Sequence, residues 1–216
     1  MNTRFLLGFT FVALIAAVAV RLLPHIPNFT PLGAFALFVG VFVARKHWWG
    51  LLLPLFAMFL SDLFIGFYDF KLMAVVYGSF LVYTGLGMLV AKRKSIAMVF
   101  LGSMGGAMVF YLVTNFAVWA FSSWYPHTVS GLLLSYTLAL PFFKYMILGD
   151  LFFTSILFGV YELAAAFLYQ PVQAFGSEPQ SRRGAKTLSG HSALRASGSM
   201  RSERRKLKLN SIKFLK

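Results

Sequence analysis

The sequence has no cysteine and only six acidic residues, against 20 Lys and Arg, which gives a formal net charge of +14. The missing cysteine excludes disulfides, thiol nucleophiles and thiolate metal sites. The chain also lacks HExxH, GxSxG, Walker and Rossmann glycine patterns, and its four histidines show no spacing typical of a metal site. We therefore expect no catalytic residues, no metal and no cofactor, and so a protein that is not an enzyme.

What the sequence does contain is apolar surface. Of its 216 residues, 59% are hydrophobic and 18% aromatic. A soluble domain of this size has too little polar surface to cover such a composition. Several apolar runs approach the roughly 20 residues that cross a bilayer as a helix. The composition predicts an all-α, multi-pass membrane protein.

Charge divides the chain into two regions. Residues 1–170 contain nine Lys/Arg and four Asp/Glu, and residues 171–216 contain eleven and two. We interpret 1–170 as a transmembrane domain and 171–216 as a basic, mostly disordered tail on the cytoplasmic side. Such a tail could contact anionic lipid or bind RNA nonspecifically, or it could be solvated without a partner.

Six transmembrane helices are predicted inside the first region. The first run is longer than a usual signal-peptide core, so we interpret it as a retained helix. The second is short, and follows a segment broken by Pro24 and Pro27. A 13-residue run over 131–143 is predicted to be a re-entrant or interfacial helix. The six predicted helices cover approximately residues 5–23, 31–44, 51–67, 72–91, 96–121 and 146–169.

The positive loops set the expected orientation. Cytoplasmic loops of membrane proteins are enriched in Lys and Arg. Arg4, Arg45-Lys46, Lys92 to Lys94 and the tail alternate correctly if the chain crosses six times with both termini in the cytoplasm. A seventh crossing over 131–143 would export the basic tail, so six crossings are favoured.

Several polar side chains fall in the outer halves of different predicted helices. A carboxylate at the centre of a bilayer costs about 2.5 to 3.5 kcal/mol on insertion scales, and such residues usually face a partner or a water-filled cavity. We predict an outward-facing ligand pocket at this depth. The alternative for each residue is a hydrogen bond between helices, worth about 0.6 kcal/mol. The predicted ligand-binding residues are Asn28, Thr30, Asp62, Asn115, Trp119 and Asp150.

Two further features of the sequence are interpreted from residue spacing. Ala13 and Ala17 are four residues apart on the first helix, a spacing that lets helices approach closely. This row could dock a partner or pack within the chain. Asp69, seven residues after Asp62, is expected near the outer headgroups, where Lys71 could neutralise it.

Five stretches of the sequence resemble a known group of proteins: "RLLPHIPNFTPLGAFALFVG", "PLFAMFLSDLFIGFYD", "VYGSF", "LVTNFAVW" and "LALPFFKYMILGDLFFTSILFG". They are similar to a family of uncharacterised bacterial membrane proteins, which itself resembles the substrate-binding S components of energy-coupling factor (ECF) vitamin transporters. The similarity covers about Arg21 to Glu162. It implies a six-helix S-component-like bundle in the bacterial inner membrane and an outward pocket. It also implies that the alanine-rich face, with Ala13 and Ala17, meets a transmembrane coupling subunit.

These features lead to one expected function and two alternatives. We expect a membrane-embedded subunit that binds or takes up a small, vitamin- or cofactor-like solute. It would act with a separate energy-coupling ATPase module, since the chain has no nucleotide-binding motif. The first alternative is a structural or assembly subunit of a larger membrane complex. The second is an intramembrane enzyme that uses Asp62 and Asp150. No known vitamin-binding motif is present, so the ligand is left open.

Overall fold

The computed structural model describes residues 3–93 and 95–168, and this part of the chain contains helices and no strand. The predicted tail over 171–216 lies outside the described residues. The helices are α1 (Thr3–Leu22), α2 (Leu32–Val39), α3 (Leu52–Ile65), α4 (Phe70–Val90), α5 (Ile96–Phe121) and α6 (Val129–Leu168). A π-helical turn, Gly40–Ala44, extends α2, and short 3-10 turns occupy Trp48–Leu51 and Ala91–Arg93.

Five helical segments are long and apolar enough to cross a membrane, judged by length and composition. They contain α1, α3, α4, α5 and α6, and α3 reaches this length together with the 3-10 turn before it. The predicted class of protein, a multi-pass helical membrane bundle, is confirmed at this level.

The short helix α2 lies at the centre of the bundle. It contacts all five other helices. All residues from Leu32 to Ala44 are buried, including the π-helical turn. These 13 residues form a rod of about 20 Å, shorter than the roughly 30 Å hydrocarbon core of a bilayer. A helix that is apolar on every side is typical of a buried core position, and here the other helices surround it.

Glycines let α2 and α4 approach closely. A Cβ atom on Gly40 would overlap the carbonyl oxygen of Thr84, and one on Gly87 would overlap the carbonyl oxygen of Leu37. The two backbones are therefore in direct contact. Without a hydrophobic driving force between helices in lipid, such close van der Waals packing is a main source of helix association.

We predict that Gly87→Ala destabilises the bundle and that Gly85→Ala does not. A methyl group at residue 87 must displace the backbone of α2, and overpacking of this kind typically costs about 1 to 3 kcal/mol. Gly85 lies on the same helix and has open space where its Cβ would be. Thermal unfolding of the two purified variants in the same detergent compares them directly. Equal midpoints would contradict the close α2–α4 contact.

The last helix differs from the sequence prediction. The segment over 131–143 and the helix predicted from Met146 form one continuous helix of 40 residues, with Pro141 inside it. At about 1.5 Å per residue this helix is about 60 Å long, twice the thickness of a hydrocarbon core. Pro141 removes one backbone donor, yet a helix can continue past a proline with a bend.

The path of α6 relative to α5 creates space inside the bundle. The Ser135 hydroxyl donates to the Asn115 carbonyl oxygen, and Ser103 and Thr154 are hydrogen-bonded to each other. The two contacts are 19 residues apart along α6 but only 12 residues apart along α5. The extra length, about 10 Å, is accommodated by a departure of α6 from the axis of α5. Pro141 lies within this interval.

The row of Ala13 and Ala17 packs inside the chain. Their exposed fractions are 8% and 2%. Both residues line a small cavity that Phe35 of α2 and Phe153 of α6 also border. The expected use of this row to meet a coupling subunit stays a prediction. Larger side chains, Phe11, Val12 and Ile15, form the exposed face of α1.

Candidate functional site

A tight turn between α1 and α2 carries the first predicted site residues. The Phe29 amide donates to the Ile26 carbonyl oxygen at 3.0 Å, and Asn28 has a φ of 63°. Proline followed by a residue with positive φ is the pattern of a type II turn, in which asparagine and glycine are favoured third residues. The turn holds the Asn28 side chain at the edge of the bundle.

Two cavities adjoin behind this turn. The smaller one has a volume of about 200 Å³ and the larger one about 370 Å³. They share Asn28, Val76, Phe110 and Met146 as lining residues. Together they reach the size of typical small-molecule sites, which begin at about 300 Å³.

The smaller cavity is the more polar of the two. Arg21, Asn28, Thr30 and Asp150 line it, so three of the six predicted ligand-binding residues meet here. Apolar residues form the rest of its wall, including Met58 of α3 and Phe80 of α4. A ligand site typically has a mostly apolar wall with a small number of converging polar groups.

The larger cavity lies where α6 departs from α5 and is mainly aromatic and aliphatic. Asn115 lines it, and so do residues on both sides of Pro141. Its aromatic wall consists of Tyr68, Phe110, Tyr111, Trp124, Phe142 and Phe143.

Asp62 lies behind the cavity wall, in an ion pair. Its Oδ1 atom is 2.6 Å from Nη1 of Arg21, and among the described residues this oxygen has no further hydrogen-bond partner. Its Oδ2 atom accepts a hydrogen bond from the Tyr77 hydroxyl at 2.7 Å. Arg21 Nη1 also donates to the Ser61 hydroxyl and, at 3.3 Å, to the Met58 carbonyl oxygen. Asp62 is only 1% exposed and does not line the smaller cavity, whereas its partner Arg21 does.

Asp150 is buried in a different environment. It is 3% exposed, and its Oδ2 atom accepts a hydrogen bond from the Tyr83 hydroxyl. Two glycines make room for this pair. A Cβ on Gly106 would overlap the Tyr83 ring, and a Cβ on Gly33 would overlap Oδ1 of Asp150. No Lys, Arg or His forms an ion pair with Asp150 in the described part of the chain.

Asn115 and Trp119 have local partners. The Asn115 side-chain amide donates to the Tyr111 carbonyl oxygen, one turn earlier on the same helix, at 2.8 Å. Trp119 Nε1 donates to the Pro126 carbonyl oxygen at 3.0 Å, and its ring contacts His127. Trp119 thus supports the α5–α6 loop, while Trp124 is the tryptophan that lines the larger cavity.

Asp69 and its neighbours lie in the loop between α3 and α4. Asp69 caps α4, since its Oδ1 atom accepts hydrogen bonds from the amides of Lys71 and Leu72 at 2.9 and 3.0 Å. The Lys71 ammonium lies over the Phe121 ring instead of pairing with Asp69. Tyr68 lines the larger cavity, and burial first, then the charge of Asp62, raises the pKa of its phenol. Tyr68 is therefore protonated at neutral pH.

Sequence reasoning missed four residues of this site. Arg21 was not among the predicted site residues, although a cation in an apolar run is as costly as Asp62 and signals an ion pair. Nothing in the sequence distinguishes Tyr77 and Tyr83 from the other tyrosines, or Gly33 from the other glycines. Within residues 3–93 and 95–168 no group of three or more His, Asp or Glu side chains could hold a metal ion.

We predict that Asp62→Asn destabilises the protein and that Asp69→Asn does not. The first change leaves the Arg21 guanidinium, 16% exposed, without its anion. Breaking a buried pair by removing one partner costs about 3 to 5 kcal/mol. Asparagine caps a helix about as well as aspartate, so the second change should alter stability by less than about 0.5 kcal/mol.

Thermal unfolding of both variants in detergent measures the difference. Arg21→Leu combined with Asp62→Leu should recover most of the lost stability, because replacing both members of a buried pair with apolar residues is often neutral. A double variant as unstable as Asp62→Asn would show that the two charges are not coupled.

Comparison with known proteins places the chain in a family. Residues 1–173 match a family of unknown function, DUF6580, and the chain belongs to it. No curated protein and no solved structure matches the chain. The match leaves residues 174–216 outside the family region.

Proposed function

We propose that this protein is a membrane-embedded, non-enzymatic subunit that binds or takes up a small, vitamin- or cofactor-like solute. The observation that carries the proposal is the pair of adjoining cavities, one polar and one aromatic, inside a bundle of apolar helices. Uptake against a gradient needs an energy source, so we propose a separate ATPase module as partner. The same function is what the sequence resemblance to a family similar to ECF S components implies.

The irregular segment between α1 and α2 supports a solvated site. Residues 23–31 contain no regular helix, and Asn28 and Thr30 of this segment line the smaller cavity. Non-helical backbone at membrane depth is tolerated only where protein buries it or where it lines a water-filled cavity. A binding pocket that admits water and solute satisfies this requirement.

We further propose six crossings of the bacterial inner membrane, with both termini in the cytoplasm. The five long helices supply five crossings, and the segment from residue 23 through α2 supplies the sixth. The N-terminal part of α6, over 129–143, would then extend to the outer interface, since the helix is longer than the membrane core. The two cavities would open outward.

Single cysteines test this topology, because the chain has none of its own. We predict that His25→Cys and His127→Cys react with a membrane-impermeant maleimide in intact cells. Lys46→Cys should react only after the cells are permeabilised, because α2 separates it from His25. All three side chains are in loops. Labelling of positions 25 and 46 from the same side would show that α2 does not cross.

The bound solute tests the function itself. We predict that the full chain, purified from its membrane under mild conditions, carries a small molecule and copurifies with an ATPase-containing complex. Mass spectrometry of the released molecules and the accompanying proteins measures both. Asn28→Gly should lower the amount of bound solute, since it removes the amide from both cavities. Glycine tolerates the positive φ of this turn, so the variant should unfold at the wild-type temperature.

The control for this experiment is Ser103→Ala, which removes a hydroxyl bonded to Thr154 and away from both cavities. It should retain the solute. A stoichiometric membrane complex with neither solute nor ATPase would overturn the proposal and favour a structural or assembly subunit.

A further inference from the structure

The charges around the smaller cavity do not balance. Arg21 lines this cavity, and its charge is matched by Asp62 at 2.6 Å. Asp150 lines it as well, and no cation in the described part of the chain pairs with it. With both acids ionised, the three side chains carry one excess negative charge. An isolated buried carboxylate is costly, so a cation or a proton must accompany it.

One oxygen of Asp150 has no hydrogen-bond partner in the described part of the chain. Oδ2 accepts the hydrogen bond from Tyr83, which supplies a dipole and no charge. Oδ1 lies beside the bare Cα of Gly33, where any larger residue would overlap it. The carboxylate is 3% exposed and borders the cavity, so it is a buried anion at the wall of a polar space.

We propose that Asp150 binds the positively charged nitrogen of an organic solute, whose apolar body occupies the adjoining larger cavity. The inference rests on the proposed function and names the class of solute. Thr30 and Asn28 border the same cavity and provide oxygen acceptors for further N–H groups.

The composition of the two cavities favours this class over others. An anionic solute would need an unmatched cation, and Asp62 already neutralises Arg21. An inorganic cation would fill only the oxygen-bearing compartment. It would leave the aromatic compartment of about 370 Å³ without a role. A protonated amine or heteroaromatic nitrogen with an apolar or aromatic body uses both compartments, because aromatic faces also attract cations.

Three compounds of one shape test the proposal: 2-phenylethylamine, 2-phenylethanol and 3-phenylpropionate. The purified full chain is titrated with each at neutral pH, and the shift in thermal unfolding temperature gives the apparent affinity. We expect the amine to bind at least about tenfold more tightly than the alcohol, and the acid to bind least, as one buried charge contact requires. No preference for the amine would overturn the inference.

Variants then assign the preference to Asp150. Asp150→Asn keeps the shape and the acceptor for Tyr83 but removes the charge, and should reduce amine binding about tenfold or more while leaving alcohol binding unchanged. Gly33→Ala should weaken amine binding too, because its methyl group displaces Oδ1. Ser103→Ala is the control and should bind the amine like the wild type. Equal amine binding by Asp150→Asn and the wild type would contradict the assignment.

Three other outcomes also decide the matter. Stabilisation by sodium or potassium chloride that depends on Asp150, with no effect of the amine, would show an inorganic cation site and overturn the inference. Recovery of a neutral or anionic solute from the native complex would overturn the cationic class while keeping the proposed function. Recovery of no solute at all would contradict the proposed function itself.

Discussion

The structure depends on the burial of one short helix. From Leu32 to Ala44, α2 and the π-helical turn that extends it have no exposed residue, and α2 contacts every other helix. Burial on all sides requires the neighbours to come close, and Gly40 and Gly87 make this possible by removing side chains from the α2–α4 contact. The chain that leads into α2, over residues 23–31, contains no regular helix. The irregular segment then becomes part of the cavity wall.

The two buried aspartates illustrate two ways of placing a carboxylate among apolar helices. Asp62 is neutralised by Arg21 and hydrogen-bonded by Tyr77, and it joins α1, α3 and α4. Asp150 has one hydrogen bond, from Tyr83, and faces the smaller cavity. The first arrangement is complete within the chain and reads as structural. The second lacks a positive charge, which is the property expected of a group that receives one from a ligand.

Much of the site could be anticipated because charge in an apolar run is rare and costly. Asp62 and Asp150 were recognisable for this reason, and Asn28 and Thr30 because they follow the broken end of the first helix. Their division into a structural and a cavity-lining carboxylate was not recognisable. It depends on which helix faces which, and Arg21 is 41 residues away from Asp62 along the chain. Trp119 was the predicted pocket residue, whereas Trp124 lines the larger cavity, because loop geometry decides which indole faces the cavity.

The sequence by itself determined the class of protein, a multi-pass helical membrane bundle, and the rarity of charge within its apolar helices. Composition and run length are sufficient for this, because a bilayer imposes one length and one polarity on every span. Tertiary structure alone decided the continuity of α6 through Pro141, the burial of Ala13 and Ala17, and the partners of the two aspartates. In a bundle where nearly every surface is apolar, hydrophobic pattern does not specify which faces meet. Close packing at particular glycines and the pairing of a few charges make that choice.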